Sequence, residues 1–224
     1  MTFNPTFFAL AALLLVVPLP LPRMRGGLTV FATRATNPPL AGVLRAWQNW
    51  FDLLRAAAGC WLLLEHAVVL DAKPAAELTP GFLIRAGVLA AGILAQSIRV
   101  PSLTVFVPAF YLTGIALVLP GWATGAFAAV FAWAFAIGSR QFIFHSCALA
   151  FALGVGGFFL VGLSLKLELA CALMLLPLLA AVLLRRRPLF LFAERARRRP
   201  KFDDGTPTSP GDKFTTKRLL SLAA

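Results

Sequence analysis

Apolar residues run through this chain in long blocks, and polar residues are confined to the short gaps between them. The blocks read "TFFALAALLLVVPLPLP" at 6–22, then 52–71, "GFLIRAGVLAAGILAQSI" at 81–98 and "PSLTVFVPAFYLTGIALVL" at 101–119. Three more follow: "GWATGAFAAVFAWAFAIG" at 121–138, "QFIFHSCALAFALGVGGFFLVGL" at 141–163 and "LKLELACALMLLPLLAAVLL" at 165–184. About 20 apolar residues cross a hydrocarbon core as a helix. The pattern therefore predicts an all-α, polytopic transmembrane helix bundle over 1–184, with seven spans, or six if the first run does not cross. Pro108 is a predicted kink, and Pro177 lies inside the last span. The gaps are short, so successive helices should be antiparallel neighbours.

The first run is the shortest. From Phe7 to Leu21 a helix would reach only about 22 Å against about 30 Å of hydrocarbon, and Pro18 and Pro20 weaken its end. No Lys or Arg precedes it, and Arg23 and Arg25 follow it. It is therefore expected to be a retained segment rather than a cleaved signal, entering with the N-terminus outside. After a loop broken at Gly26-Gly27 and Asn37-Pro38-Pro39, Val43, Leu44, Trp47, Trp50, Phe51 and Leu54 recur at helical spacing. An interfacial helix near 40–51 is predicted, bending or running into the span at 52–71.

Composition sharpens this picture. The chain has 224 residues, 59% of them hydrophobic, yet a net charge of +12. Spread over a soluble domain, that charge would suggest nucleic acid; here it is concentrated. From Arg185 onward eleven Lys and Arg stand against four acids. Residues 185–224 are predicted to be a basic, partly disordered tail. Arg185, Arg186, Arg187, Arg195, Arg197, Arg198 and Arg199 would face anionic lipid headgroups or a partner, and no nucleic acid is expected. The apolar patch Leu189–Phe192 would lie on the bilayer surface as a short amphipathic element. Placing the tail in the cytoplasm puts Arg23, Arg25, Arg34, Arg45, Arg99 and Arg140 there too. Only Lys73, Arg85 and Lys166 are left on the other side, with Arg55 inside a span. That asymmetry predicts a multi-pass protein of a bacterial-type inner membrane with a cytoplasmic C-terminus.

Chemistry is sparse. In the stretch 45–66, Arg45, Gln48, Asp52, Arg55, Gly59 and His66 fall within about 80° on one helical stripe, with Glu65 nearly opposite. Asp52 and Arg55 are i,i+3 neighbours that can neutralise each other. Together with Gln96, the residues Asp52, Arg55, Glu65 and His66 are the candidate lining of a polar intramembrane path. Arg99, Arg140, Gln141 and His145 are the candidate cytoplasmic rim. His66 and His145 should differ in depth by about 18 Å at 1.5 Å per residue, too far apart to hold one haem. No metal or cofactor is expected, since Cys147 stands only two residues from His145 and faces elsewhere. The cysteines Cys60, Cys147 and Cys171 all lie in apolar runs as packing residues. Ala128, Ala132 and Ala136 repeat beside Phe127, Phe131 and Phe135, a pattern suited to close helix contact.

The expected function is that of a non-enzymatic helical subunit or accessory of a larger membrane assembly, bound to the lipid bilayer and to other membrane subunits. A small transporter or channel using the polar stripe is the alternative. An intramembrane lipid-modifying enzyme acting through Arg140, Gln141 and His145 ranks third.

Overall fold

The computed structural model describes residues 2–17, 30–31, 40–69, 79–99, 104–139, 144–185 and 189–191. These are mostly helical. In chain order they form β1 (Thr2–Phe3), α1 (Pro5–Val16), β2 (Val30–Phe31), α2 (Leu40–Arg45) and α3 (Trp47–Leu62). A π-helical turn follows at Leu63–Ala67, then β3 (Val68–Val69), α4 (Pro80–Ser97), β4 (Ile98–Arg99) and β5 (Thr104–Val107). The chain continues as α5 (Ala109–Val118), α6 (Trp122–Ser139), α7 (His145–Val161), α8 (Leu165–Leu183) and β6 (Leu189–Leu191).

Local signals set three of the helix starts. The Asn4 side-chain oxygen accepts from the Thr6 and Phe7 N–H groups, with Pro5 opening α1. Thr79 caps Phe82 N–H at 3.3 Å ahead of Pro80, and Ser164 caps Leu167 N–H at the same distance ahead of α8. In each case a short polar side chain satisfies a backbone donor that the first turn leaves open. Just beyond α8, Arg185 has a φ of 50°, the left-handed conformation common after a helix end.

Three helices, α4, α6 and α8, are long and apolar enough to cross a membrane, which fits a membrane location. Helices α1, α5 and α7 are apolar but shorter. Two of the predicted spans take other forms. Residues 104–107 are strand rather than helix, and α5 begins only after Pro108. The segment predicted as a span at 52–71 starts earlier, at Trp47, and opens into the π turn before ending in β3. The interfacial element near 40–51 is broken at Ala46. There Asn49 donates its side-chain N–H to the Val43 carbonyl and Trp50 its indole N–H to the Leu44 carbonyl, both at 2.8 Å. The carbonyls freed where α2 stops are thus taken up by the first turn of α3.

The strands gather at the two ends of the bundle. β1 pairs antiparallel with β3, Thr2 opposite Val69. At the other end a four-stranded sheet runs β2-β6-β5-β4. Val30 is opposite Leu191, Phe106 is parallel to Leu189, and Ile98 is opposite Val105. Residues 189–191, predicted to lie as an amphipathic element on the bilayer surface, are instead the strand that joins β2 to β5. The loop after α1 and the start of the tail therefore share one end of the molecule.

Helix α5 is the centre. Every residue from Ala109 to Ala116 is buried, and so are Val105, Phe106 and Val107 before it. Extended backbone within the bundle is tolerable because it lies inside protein, away from lipid. Gly114 permits the closest approach: a Cβ there would run into the Leu53 carbonyl and the Ala56 methyl of α3. On α6, Ala128, Ala132 and Ala136 are fully buried while Phe127, Phe131 and Phe135 face outward. The small-residue face packs inward, and the Phe131 and Phe135 rings line an apolar groove of about 320 Å³ with Phe144, Cys147, Ala148 and Phe151.

Candidate functional site

The largest convergence of polar groups surrounds the carboxyl end of α1. That end is in difficulty on its own. A helix leaves its last carbonyls without intrahelical partners, and Pro18 and Pro20, lacking N–H groups, cannot serve the carbonyls four residues before them. Three other helices supply the missing donors. Tyr111 of α5 donates its hydroxyl to the Leu15 carbonyl at 2.8 Å. Gln96 of α4 donates its amide to the Leu15 and Val16 carbonyls at 3.4 and 3.5 Å. Arg55 of α3 donates to the Val17 carbonyl. Its other terminal nitrogen binds Asp52 at 2.6 Å, and its guanidinium lies 5.4 Å from the Tyr111 ring centre. A cation here also suits the negative end of the α1 dipole.

Close packing makes this reach possible. Gly59 of α3 and Gly92 of α4 both abut α1; a Cβ on Gly92 would lie 2.7 Å from the Tyr111 hydroxyl and 3.1 Å from the Leu15 carbonyl oxygen. Tyr111 is fully buried, and Arg55 is 6% exposed. Asp52 balances the guanidinium charge and is partly open to the surface.

A second capture occurs at the opposite end. Arg85 of α4, also 6% exposed, donates to the Leu64 carbonyl at 2.6 Å and to the Val68 carbonyl. Both belong to the wide π turn and its exit, where the regular i→i−4 ladder is lost. The Ala67 carbonyl accepts from Asn4 N–H at 3.0 Å, so the turn is tied to the start of α1 as well.

The third cluster is built on α5, α6 and α7. The Thr113 hydroxyl donates to the Ala109 carbonyl at 2.8 Å and accepts the Trp133 indole N–H at 3.2 Å. It lies 3.5 Å from His145 Nε2, and the His145 ring stands edge-on to Trp133 with centres 5.0 Å apart. His145 opens α7 and is fully buried.

Of the residues predicted to line one polar path, Asp52, Arg55 and Gln96 meet at the α1 carboxyl end. Glu65 and His66 lie on the π turn at the other end, both exposed. His66 packs against Trp61, with ring centres 4.6 Å apart, and against Phe7 at 5.3 Å. Arg45, at the end of α2, is exposed on the far side of the break at Ala46. Among the rim residues, Arg99 lies in β4, His145 is buried as described, and Arg140 and Gln141 fall outside the described residues. In the tail, Arg185 is exposed, while Arg186, Arg187, Arg195, Arg197, Arg198 and Arg199 lie outside them. Among the described residues no three His, Cys, Asp or Glu side chains converge in a way that could hold a metal ion.

Sequence reasoning missed Tyr111, Thr113 and Trp133, and it placed Arg85 on the outer face rather than beneath the turn. The signal for Tyr111 was present: it is the one tyrosine of the chain, set in an apolar run. Compared with protein-family models, with curated proteins and with solved structures, the chain matches none.

Proposed function

We propose that this chain is a multi-pass integral membrane protein that serves as a non-enzymatic helical subunit or accessory of a larger membrane assembly. One observation carries the reading: the long polar side chains that converge on the two ends of the bundle donate to its own backbone. Arg55, Tyr111 and Gln96 hold the end of α1, and Arg85 holds the π turn. Groups so engaged stabilise an architecture and leave few donors for a solute. In hydrocarbon, an open carbonyl costs several kcal/mol, so such contacts set which helices can be neighbours.

The same geometry supports seven crossings. On this reading α1, α3, α4, the β5–α5 segment, α6, α7 and α8 each cross between the β1–β3 end and the four-stranded end. β5 and α5 together would extend about 28 Å at about 3.3 Å per strand residue and 1.5 Å per helix residue. With the basic tail placed in the cytoplasm, the four-stranded end faces inward and the N-terminus outward in a bacterial-type inner membrane. The tail arginines then bind anionic headgroups. Large apolar side chains on the outer faces of α6 and α7, including Val130 and Phe159, provide surface for lipid and for partner helices.

Gentle extraction into a mild detergent, followed by native electrophoresis, tests the subunit reading. The expected result is a complex well above the mass of one 24.1 kDa chain, containing other membrane proteins. A chain that migrates alone after every gentle extraction overturns it.

The transporter reading draws support from the break at Pro108, where an extended segment turns into a helix inside the bundle, as in discontinuous transporter spans. It requires water at the α1 carboxyl end. A cysteine replacing Gln96 should then react with an aqueous maleimide in intact membranes; complete protection sinks that alternative.

A further inference from the structure

We draw no further inference here: the strongest candidate, the apolar groove between α6 and α7 lined by Phe131, Phe135, Phe144, Cys147, Ala148 and Phe151, is an exposed face with nothing in the structure to show what covers it.

Discussion

Tyr111 and Leu15 are separated by 96 residues, yet the tyrosine hydroxyl donates to the leucine carbonyl at 2.8 Å inside the bundle. That bond ties the central helix α5 to the last turn of α1, whose final carbonyls have no partner within the helix. Tyr111→Phe keeps the ring and removes only the donor. It is expected to lower stability by about 1 kcal/mol, the scale of a single buried hydrogen bond, read as an earlier midpoint in a denaturing-detergent titration. Arg55→Met should cost more, about 2 kcal/mol or above, because it also strands Asp52. Equal midpoints for the wild type and both variants would refute the role given to this helix end.

Arg85 closes two carbonyls with one side chain. Arg85→Met is expected to loosen the π turn, raising amide hydrogen exchange across residues 63–69 while leaving α6 and α7 unchanged. If exchange rises evenly over the whole bundle, Arg85 supports global packing and has no special hold on the turn.

Two glycines of α4 should behave in opposite ways. Gly92→Val would push a side chain into the Tyr111 hydroxyl and the Leu15 carbonyl, and overpacking of this kind costs about 1–3 kcal/mol. Gly87 has nothing within 4 Å of a built Cβ. Gly87→Ala is therefore expected to be neutral or to stabilise by up to about 1 kcal/mol through helix propensity. Thermal aggregation midpoints of the two purified variants decide the point, and loss of stability in Gly87→Ala would contradict the packing described.

Thr113 serves three neighbours at once. Thr113→Val removes the hydroxyl that accepts the partly buried Trp133 indole N–H, at a cost of about 1 kcal/mol, whereas Thr113→Ser keeps the hydroxyl and should recover most of the loss. Chemical denaturation of the two variants side by side provides the comparison. A serine variant as unstable as the valine one would shift the explanation from the hydroxyl to the methyl group.

The two ends of the bundle should face different compartments. An epitope inserted between Gly26 and Gly27 and one appended after Ala224 should be reached by antibody from the same side of the membrane. An epitope placed beside Lys73 should be reached from the other. Opposite accessibility of the first two would contradict the strand pairing of Val30 with Leu191.

Where local chemistry decides the structure, the sequence was readable. The predicted spans at 81–98, 121–138 and 165–184 lie within two residues of α4, α6 and α8, because hydropathy, Pro80, Thr79 and Ser164 act within a turn of the residues they govern. The i,i+3 pairing of Asp52 with Arg55 was legible for the same reason. What failed to show was everything settled at a distance. Thr104–Val107 reads as part of an apolar span, and its strand form depends on partners outside it, Ile98–Arg99 on one edge and Leu189–Leu191, more than eighty residues on, at the other. Arg85 looks like a charge near a helix end until the carbonyls of Leu64 and Val68 are in view. The polar path divides because Arg55 and His66 stand eleven residues, about 16 Å, apart along the helix, and each end engages a different stretch of backbone. Gln96 could be assigned to the same end as Arg55, but not to the carbonyls of α1, since those become available only where α1 ends at Val16.

In the four-stranded sheet, β6 comes last in the chain yet lies between β2 and β5. While the protein is being synthesised, β2 and β5 must therefore wait with unpaired edges until the residues after α8 have emerged. The final strand works like a keystone: maturation of that end is timed by the completion of the polypeptide, and a ribosome that stops short of Leu189 releases a bundle whose two earlier strands have nothing to join them.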